Sequence, residues 1–299
     1  MTVQRLSRIG LFSSDPSSKR ERGLQNALVR NGVQVTQVIP WKVARVAATN
    51  KHQILLDGND LTELERLIVL DLGANDIGAF FSRVGLLFAL VELGVEVVNS
   101  VSSILVMRNK AETTRKLVSA GLPVPQTLIT ESIEGAAQFV RKNFPCILKP
   151  ITGFGGMGVQ LIDKKFDLEN IYDYLKFHSQ LFGKGAFLLQ EYVRSPGYDI
   201  RALVLGNEMI ASMQRVPSKG IVSNIHSGGI ARPNDVDVSS LAVQAAKAVR
   251  GMLVGIDIIP DKAGNLWVLE VNATPGWTGL QSVTDFDITE RIADTLSKA

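Results

Sequence analysis

An α/β fold that turns to α+β in its later part is what this sequence predicts, on three observations. Short, apolar, mostly β-branched runs alternate with amphipathic stretches over the first hundred residues. That is the pattern of buried parallel strands joined by helices. Around residues 99–103 the alternation breaks, and glycine–proline punctuation begins. The last third carries two strand pairs with tight connections, at Gly206-Asn207 and around residues 261–265, as antiparallel hairpins do.

Each element follows in order. Strands are expected at 9–12, 33–39, 67–70 and 95–98. Between the first two, Leu24, Leu28 and Val29 form one apolar stripe of a helix over 19–30, stopped by Asn31-Gly32. A second helix covers 77–93 and ends at Gly94. No G-x-G-x-x-G run follows the first strand, so a dinucleotide-binding turn is absent. A charged helix over 109–120 closes at Gly121, and Pro123 and Pro125 prevent its continuation. A strand at 127–130 leads to a helix capped by Ser132 and running to 142. Strand 145–149, loop 153–158, strand 159–162, helix 168–181 and strand 186–192 come next. One hairpin pairs 200–205 with 208–215, a helix covers 238–253, and the last hairpin pairs 254–260 with 266–272. Transitions near residues 100 and 192 give three expected parts, 1–100, 101–192 and 193–299.

Composition narrows the function classes. The 299 residues are 45% hydrophobic and 20% charged, which excludes extended disorder. The net charge of +3 makes no case for a nucleic-acid partner. Cys146 is the only cysteine, so an internal disulfide and an all-cysteine zinc site are both excluded. His52, His178 and His226 lack metal-ligand spacing. The longest apolar run, 84–91, falls far short of the roughly 20 residues of a membrane span. Residues 1–10 carry Arg5 and Arg8 but no apolar signal core. A cytoplasmic protein with no membrane partner is the expectation.

Three constellations carry chemistry. The run from Lys149 to Gly158 places a lysine before Gly153, Gly155, Gly156 and Gly158. Backbone N–H groups of such a loop can converge on phosphate oxygens, with the ammonium as a point charge. The competing reading is a flexible hairpin loop with a surface lysine. The second set is Asp257, Glu270 and Asn272. Glu270 and Asn272 share a strand face. With a turn at 261–264, Val268 is expected opposite Asp257, which then joins that face. Three hard oxygen ligands suit magnesium that also holds substrate phosphates; the alternative has the same groups facing solvent. The third set is Gln190-Glu191-Tyr192, whose strand-end backbone can meet an adenine edge or be an ordinary strand end. Asp199 and Arg201 project to one face, as a structural ion pair or as nucleotide and substrate contacts. Ser223, Asn224 and His226 lie in a polar glycine-containing stretch near that hairpin.

Taken in order, these pieces resemble the ATP-grasp superfamily over about residues 100 to 297, and within it the RimK-like glutamate ligases. Lys110, Lys149, the glycine loop, Gln190-Glu191-Tyr192, Asp199-Ile200-Arg201, Ser223-Asn224, Asp257 and Glu270-Val271-Asn272 occur in the family's order. Ala273-Thr274-Pro275-Gly276 is similar to its Asn-x-x-Pro-Gly ending. The resemblance implies a pre-ATP-grasp α/β domain followed by an ATP-grasp fold of two α+β subdomains. It also implies an ATP-dependent carboxylate–amine ligase working through an acyl phosphate. Lys110 and Lys149 then hold ATP phosphates, Glu191-Tyr192 line adenine and Asp199 lies at the nucleotide. Asp257, Glu270 and Asn272 hold Mg2+, with Mn2+ as an alternative ion. Arg201 and the backbone near Gly276 are the candidates for stabilising the acyl phosphate and its tetrahedral adduct.

Two departures stand out. The family often has arginines where this chain has Val222 and Ser227; Arg215, Lys219 or Arg232 are the candidates to replace that charge. The expected substrates are a small-molecule carboxylate, such as a tetrahydromethanopterin-type pterin, and L-glutamate. A protein or carrier-protein tail is the main alternative acceptor. A catalytically inactive ATP-binding regulator and a kinase are alternatives of other classes. Relatives suggest a homodimer or homotetramer. On this reading Asp257→Asn and Glu270→Gln each abolish most catalysis and leave the ligand-free melting temperature nearly unchanged.

Overall fold

The computed structural model describes residues 7–49, 51–73, 76–152, 158–163, 168–182, 186–218, 220, 223 and 228–298. Contacts divide the chain into two compact units. One comprises Met1–Ile104, Gly251–Leu253 and Thr274–Ala299, and the other Leu105–Arg250 and Val254–Ala273.

In the first unit β1 (Arg8–Phe12), α1 (Lys19–Arg30) and β2 (Gln34–Val38) follow the expected strand–helix–strand order. Ser18 caps α1 by accepting from the Glu21 amide, and Leu24, Ala27 and Leu28 form its buried stripe. Next come β3 (Val43–Ala48), β4 (Lys51–Leu56) and β5 (Asn59–Asp60), an antiparallel sheet in that order. The sequence gives no warning of it, because β3 is exposed along most of its length and carries no core-facing alternation. Then follow β6 (Arg66–Val69), α2 (Ile77–Glu92), β7 (Glu96–Val98) and α3 (Val101–Arg108). The main sheet runs β2-β1-β6-β7 and is parallel throughout.

The second unit opens with α4 (Lys110–Ser119), β8 (Thr127–Thr130), α5 (Ile133–Lys142), β9 (Cys146–Lys149), β10 (Gln160–Ile162), α6 (Ile171–Phe182) and β11 (Phe187–Glu191). Ser132 caps α5 as expected, accepting from the Gly135 amide at 3.0 Å. The antiparallel sheet β10-β9-β11-β8 packs its inner face on α5 and α6 through Ala137, Val140, Leu148, Leu175, Phe187 and Leu189. Each large side chain there contributes roughly 1.5–3 kcal/mol by leaving water. Cys146 is part of this core, and burial pushes its thiol up to about 11, so it stays an unreactive thiol.

A second sheet of this unit, β14-β13-β12-β15-β16, consists of β12 (Asp199–Leu205), β13 (Glu208–Val216), β14 (Ile230–Pro233), β15 (Leu253–Pro260) and β16 (Leu266–Asn272), with α7 (Ser239–Ala248) between β14 and β15 in the chain. The helix expected to reach 253 ends at Ala248. Arg250 takes φ +54°, a left-handed conformation through which a right-handed helix cannot run.

Two register shifts decide which side chains of this sheet share a face. Between β12 and β13, Val204 pairs with Met209 but Leu203 pairs with Ala211, so Ile210 is an extra residue and Asp199 comes opposite Arg215. Between β15 and β16, Ile258 pairs with Val268 but Asp257 pairs with Glu270, leaving Leu269 as the extra residue. The expected pairing of Asp257 with Val268 is therefore corrected. The turn sets a register in which Asp257 faces Leu269 and points away from Glu270; the bulge re-aims it.

The end of the chain belongs to the first unit, not to the sheet before it. α8 (Thr278–Gln281) and α9 (Ile288–Leu296) follow Pro275-Gly276. α9 packs on α1, with Asn31 Nδ2 donating to Asp294 Oδ1 at 3.0 Å. Arg20 on α1 donates to the Pro275 carbonyl at 3.3 Å and lies 5.5 Å over the Trp277 ring. Asn99 holds residues 252–253 in the same unit, its Oδ1 accepting from both amides and its Nδ2 donating to Leu253 O.

Candidate active site

Two sets of expected residues meet within the second unit. Lys149 ends β9, where its Nζ donates to Gln190 Oε1 at 2.6 Å. Gln190 Nε2 donates in turn to Thr127 Oγ1 at 3.0 Å, and Thr127 Oγ1 to the Pro125 carbonyl at 2.8 Å. This chain fixes which way the Gln190 amide points. Gln190, expected at the adenine, uses its side chain to hold Lys149. Burial pushes the Lys149 ammonium down to about 8; Glu270 and Asp257 oppose that shift and Lys110 adds to it.

Lys110 begins α4, whose cap is Asn109; its backbone N–H donates to Ile151 O at 3.1 Å. Its Nζ lies 3.9 Å from Glu270 Oε2. Asn272 Nδ2 donates to Glu270 Oε1 at 3.1 Å, so the two expected to share a strand face do touch. Lys110, Lys149, Asp257 and Glu270 thus stand within electrostatic reach of one another.

The second set is a buried charge network on β12, β13 and β15. Asp199, Arg201, Arg215, Ser223 and Asp257 are each less than a tenth exposed. Arg201 grips Asp257 with Nε and with Nη2, the latter at 3.0 Å. Arg215 grips Asp199 through two bonds of 2.7 Å, and its Nη2 also lies 3.0 Å from Asp257 Oδ2. Ser223 Oγ donates to Asp199 Oδ2 at 2.6 Å. Every residue of β12 is buried, so charges on it must be paired. Burial alone raises the Asp257 carboxyl, but Arg201 and Arg215 outweigh it and hold the group down to about 2. The same carboxylates raise Arg215 against its own burial cost.

Asp199 and Arg201 share a face as expected, but they do not pair with each other: each takes a partner from another strand. The Asp199 carboxylate, expected at the nucleotide, is engaged by Arg215 and Ser223. Arg215 enters the network, whereas Arg232, opposite Gln214 on β14, is exposed on the other sheet face. Alternation around Arg215 is visible in the sequence; its approach to Asp199 depends on the bulge at Ile210, which is not. Thr127 was missed altogether. Glu191 is exposed and Tyr192 half-buried at the end of β11. Gly158 adopts φ +76°, the left-handed conformation that favours glycine. Gly153, Gly155, Gly156 and Asn224, with Lys219, Val222, His226 and Ser227, lie outside the described residues. Gly276 belongs to the first unit, beside the Arg20–Pro275 contact.

The donor set fits a hard divalent cation: two carboxylates and an amide oxygen on one hairpin face. Among the described residues no group of three or more His, Cys, Asp or Glu side chains is placed to hold a metal.

The model of the RimK-like ATP-grasp domain matches residues 107–296. The chain belongs to the RimK-like ATP-grasp family. Among its relatives is a tetrahydromethanopterin:alpha-L-glutamate ligase of Methanocaldococcus jannaschii, 31% identical over 207 residues, covering 68% of this chain and 70% of that one. The enzyme of the same name from Methanosarcina acetivorans is 28% identical over 97% of this chain and 99% of its own. The fold matches that of the ATP-grasp ligase PsnB complexed with minimal precursor, Mg and ADP. Its TM-score is 0.73 at 21% identity, covering 97% of this chain and 98% of that one. This RimK-like protein is therefore an enzyme that forms carbon–nitrogen bonds by ATP-dependent ligation. Among its described residues no helix is long and apolar enough to cross a membrane.

Proposed function

We propose that this ligase joins L-glutamate to a small-molecule carboxylate of the tetrahydromethanopterin class, with ATP converted to ADP and phosphate. The observation that carries the reading is the meeting of Lys110 and Lys149 with Asp257 and Glu270 in one unit. Two cations suited to phosphate oxygens stand beside two carboxylates suited to a metal. The names of the two relatives support glutamate and the acceptor class.

A carboxylate is a poor electrophile toward an amine. In the proposed first step an acceptor carboxylate oxygen attacks the γ-phosphorus and the bond to the ADP oxygen breaks. In the second step the glutamate amine attacks the acyl carbon, phosphate leaves with the activating oxygen, and the amine loses its proton. The protein's part is to position and neutralise. Lys149, aimed by Gln190, and Lys110 meet phosphate oxygens. Asp257, Glu270 and Asn272 would hold Mg2+, which supplies charge neutralisation and a template for the phosphates. Arg201 is the proposed donor to the developing acyl phosphate, steadied by its bonds to Asp257.

The test supplies purified protein with ATP, magnesium, L-glutamate and a small-molecule extract containing a reduced pterin coenzyme. An ion that gains one glutamyl residue only with enzyme and ATP together is the expected result. ADP release only when another amino acid or a protein fraction is supplied would keep the ligase and discard this substrate pair.

A further inference from the structure

The two carboxylates assigned to the metal already have positive or donating groups beside them. Asp257 accepts from Arg201 Nε, Arg201 Nη2 and Arg215 Nη2. An ionised carboxylate offers about four lone-pair sites, so three are engaged. Glu270 accepts from Asn272 and has Lys110 Nζ at 3.9 Å. Among the described residues around these groups, four cations, Lys110, Lys149, Arg201 and Arg215, face three carboxylates, Asp199, Asp257 and Glu270. The excess is one positive charge, in a largely buried setting where screening by water is weak. A free divalent cation is repelled there. A nucleotide carrying its metal arrives with net negative charge and is attracted.

Arg215 is the group best placed to set this balance. Arg201 already grips Asp257 through both oxygens. Arg215 adds its charge at the Asp257 oxygen while anchored on Asp199, which Ser223 holds in turn. Removing Arg215 uncovers one lone pair of Asp257 and leaves the carboxylate oriented by Arg201.

We infer that Arg215 is a specificity-determining residue that makes the Asp257–Glu270 site refuse a free divalent cation and accept one only together with nucleotide phosphates. The inference rests on the reading of Asp257, Glu270 and Asn272 as the metal ligands.

The experiment measures Mn2+ retained by the full-length protein on ultrafiltration, with Mn2+ alone and with Mn2+ plus ADP. Wild type is expected to retain Mn2+ at least about tenfold more tightly with ADP than without it. Arg215→Gln is expected to raise retention of Mn2+ alone by about tenfold, and Arg215→Lys, which keeps the charge, to leave it low. Should Arg215→Gln fail to fold, Asp199→Asn/Arg215→Gln leaves the excess at one positive charge but uncovers the same Asp257 lone pair, so a smaller rise in retention of Mn2+ alone is expected. Equal retention of Mn2+ by wild type with and without ADP would overturn the inference. So would an unchanged difference in folded Arg215→Gln. Mn2+ retained in neither condition would instead overturn the metal-site reading beneath it.

Discussion

At Lys149, position and charge are set by separate neighbours. Gln190 aims the ammonium, while burial lowers it to about 8. Below that value the group is charged and binds phosphate; above it the charge is lost. Nucleotide affinity of the free protein is therefore expected to weaken as pH rises through about 8. Lys149→Arg, which stays protonated, removes that alkaline fall; calorimetric titration with ADP between pH 6.5 and 9.5 (roughly a unit and a half to either side) reads it. The two carboxylates behave differently. Glu270→Gln is expected to abolish most turnover with little change in melting temperature, because Glu270 is part-exposed, accepts from Asn272 and lies 3.9 Å from Lys110. Asp257→Asn loses turnover and also destabilises the fold by about 3–5 kcal/mol, since Arg201 and Arg215 stay buried beside a neutral group. This corrects the expectation that both variants melt like wild type. The sign with pH follows. A carboxyl lowered to about 2 from an ordinary 3.8 gives stability that is full above the ordinary value and is lost as pH falls toward 2. Acid unfolding followed by circular dichroism should show that loss in wild type and not in Asp257→Asn.

Among the elements, those with a buried face were legible and those without were not. α1 announces itself by an apolar stripe and α5 by a serine cap, and both begin where the sequence says. β3 is exposed and has no core-facing pattern to read, and β4 buries only Ile54 and Leu56 on alternate positions. The end of α7 depends on one left-handed residue, Arg250, whose type does not advertise it. The site was legible in its residues but not in its register. Asp257, Glu270 and Asn272 share a face only because Leu269 is accommodated as a bulge, and Arg215 reaches Asp199 only because Ile210 is. A bulge costs one unpaired residue and leaves no mark in composition. An expectation that belongs to this scale concerns α9. Asp287 Oδ1 accepts from the Thr289 and Glu290 amides at 2.8 and 3.1 Å. Asp287→Ala is expected to cost about 1 kcal/mol, read as a lower urea midpoint with unchanged slope.

For the whole molecule, the order of motifs along the chain tells the family before any contact is known, and the match over residues 107–296 bears that out. The chain's return after residue 273 to the first unit is less visible, because α8 and α9 look like a simple continuation. Arg20, clamping Pro275 and stacking on Trp277, shows what ties that return down. The central claim is that ATP activates a carboxylate as an acyl phosphate, from which an amine then displaces phosphate. The most direct measurement supplies the acceptor with heavy oxygen in its carboxylate and analyses the released phosphate by mass spectrometry. One labelled oxygen transferred to phosphate for each amide formed is the predicted result. Amide formation with unlabelled phosphate, or a stable phosphorylated acceptor that accumulates without amine, would contradict the account.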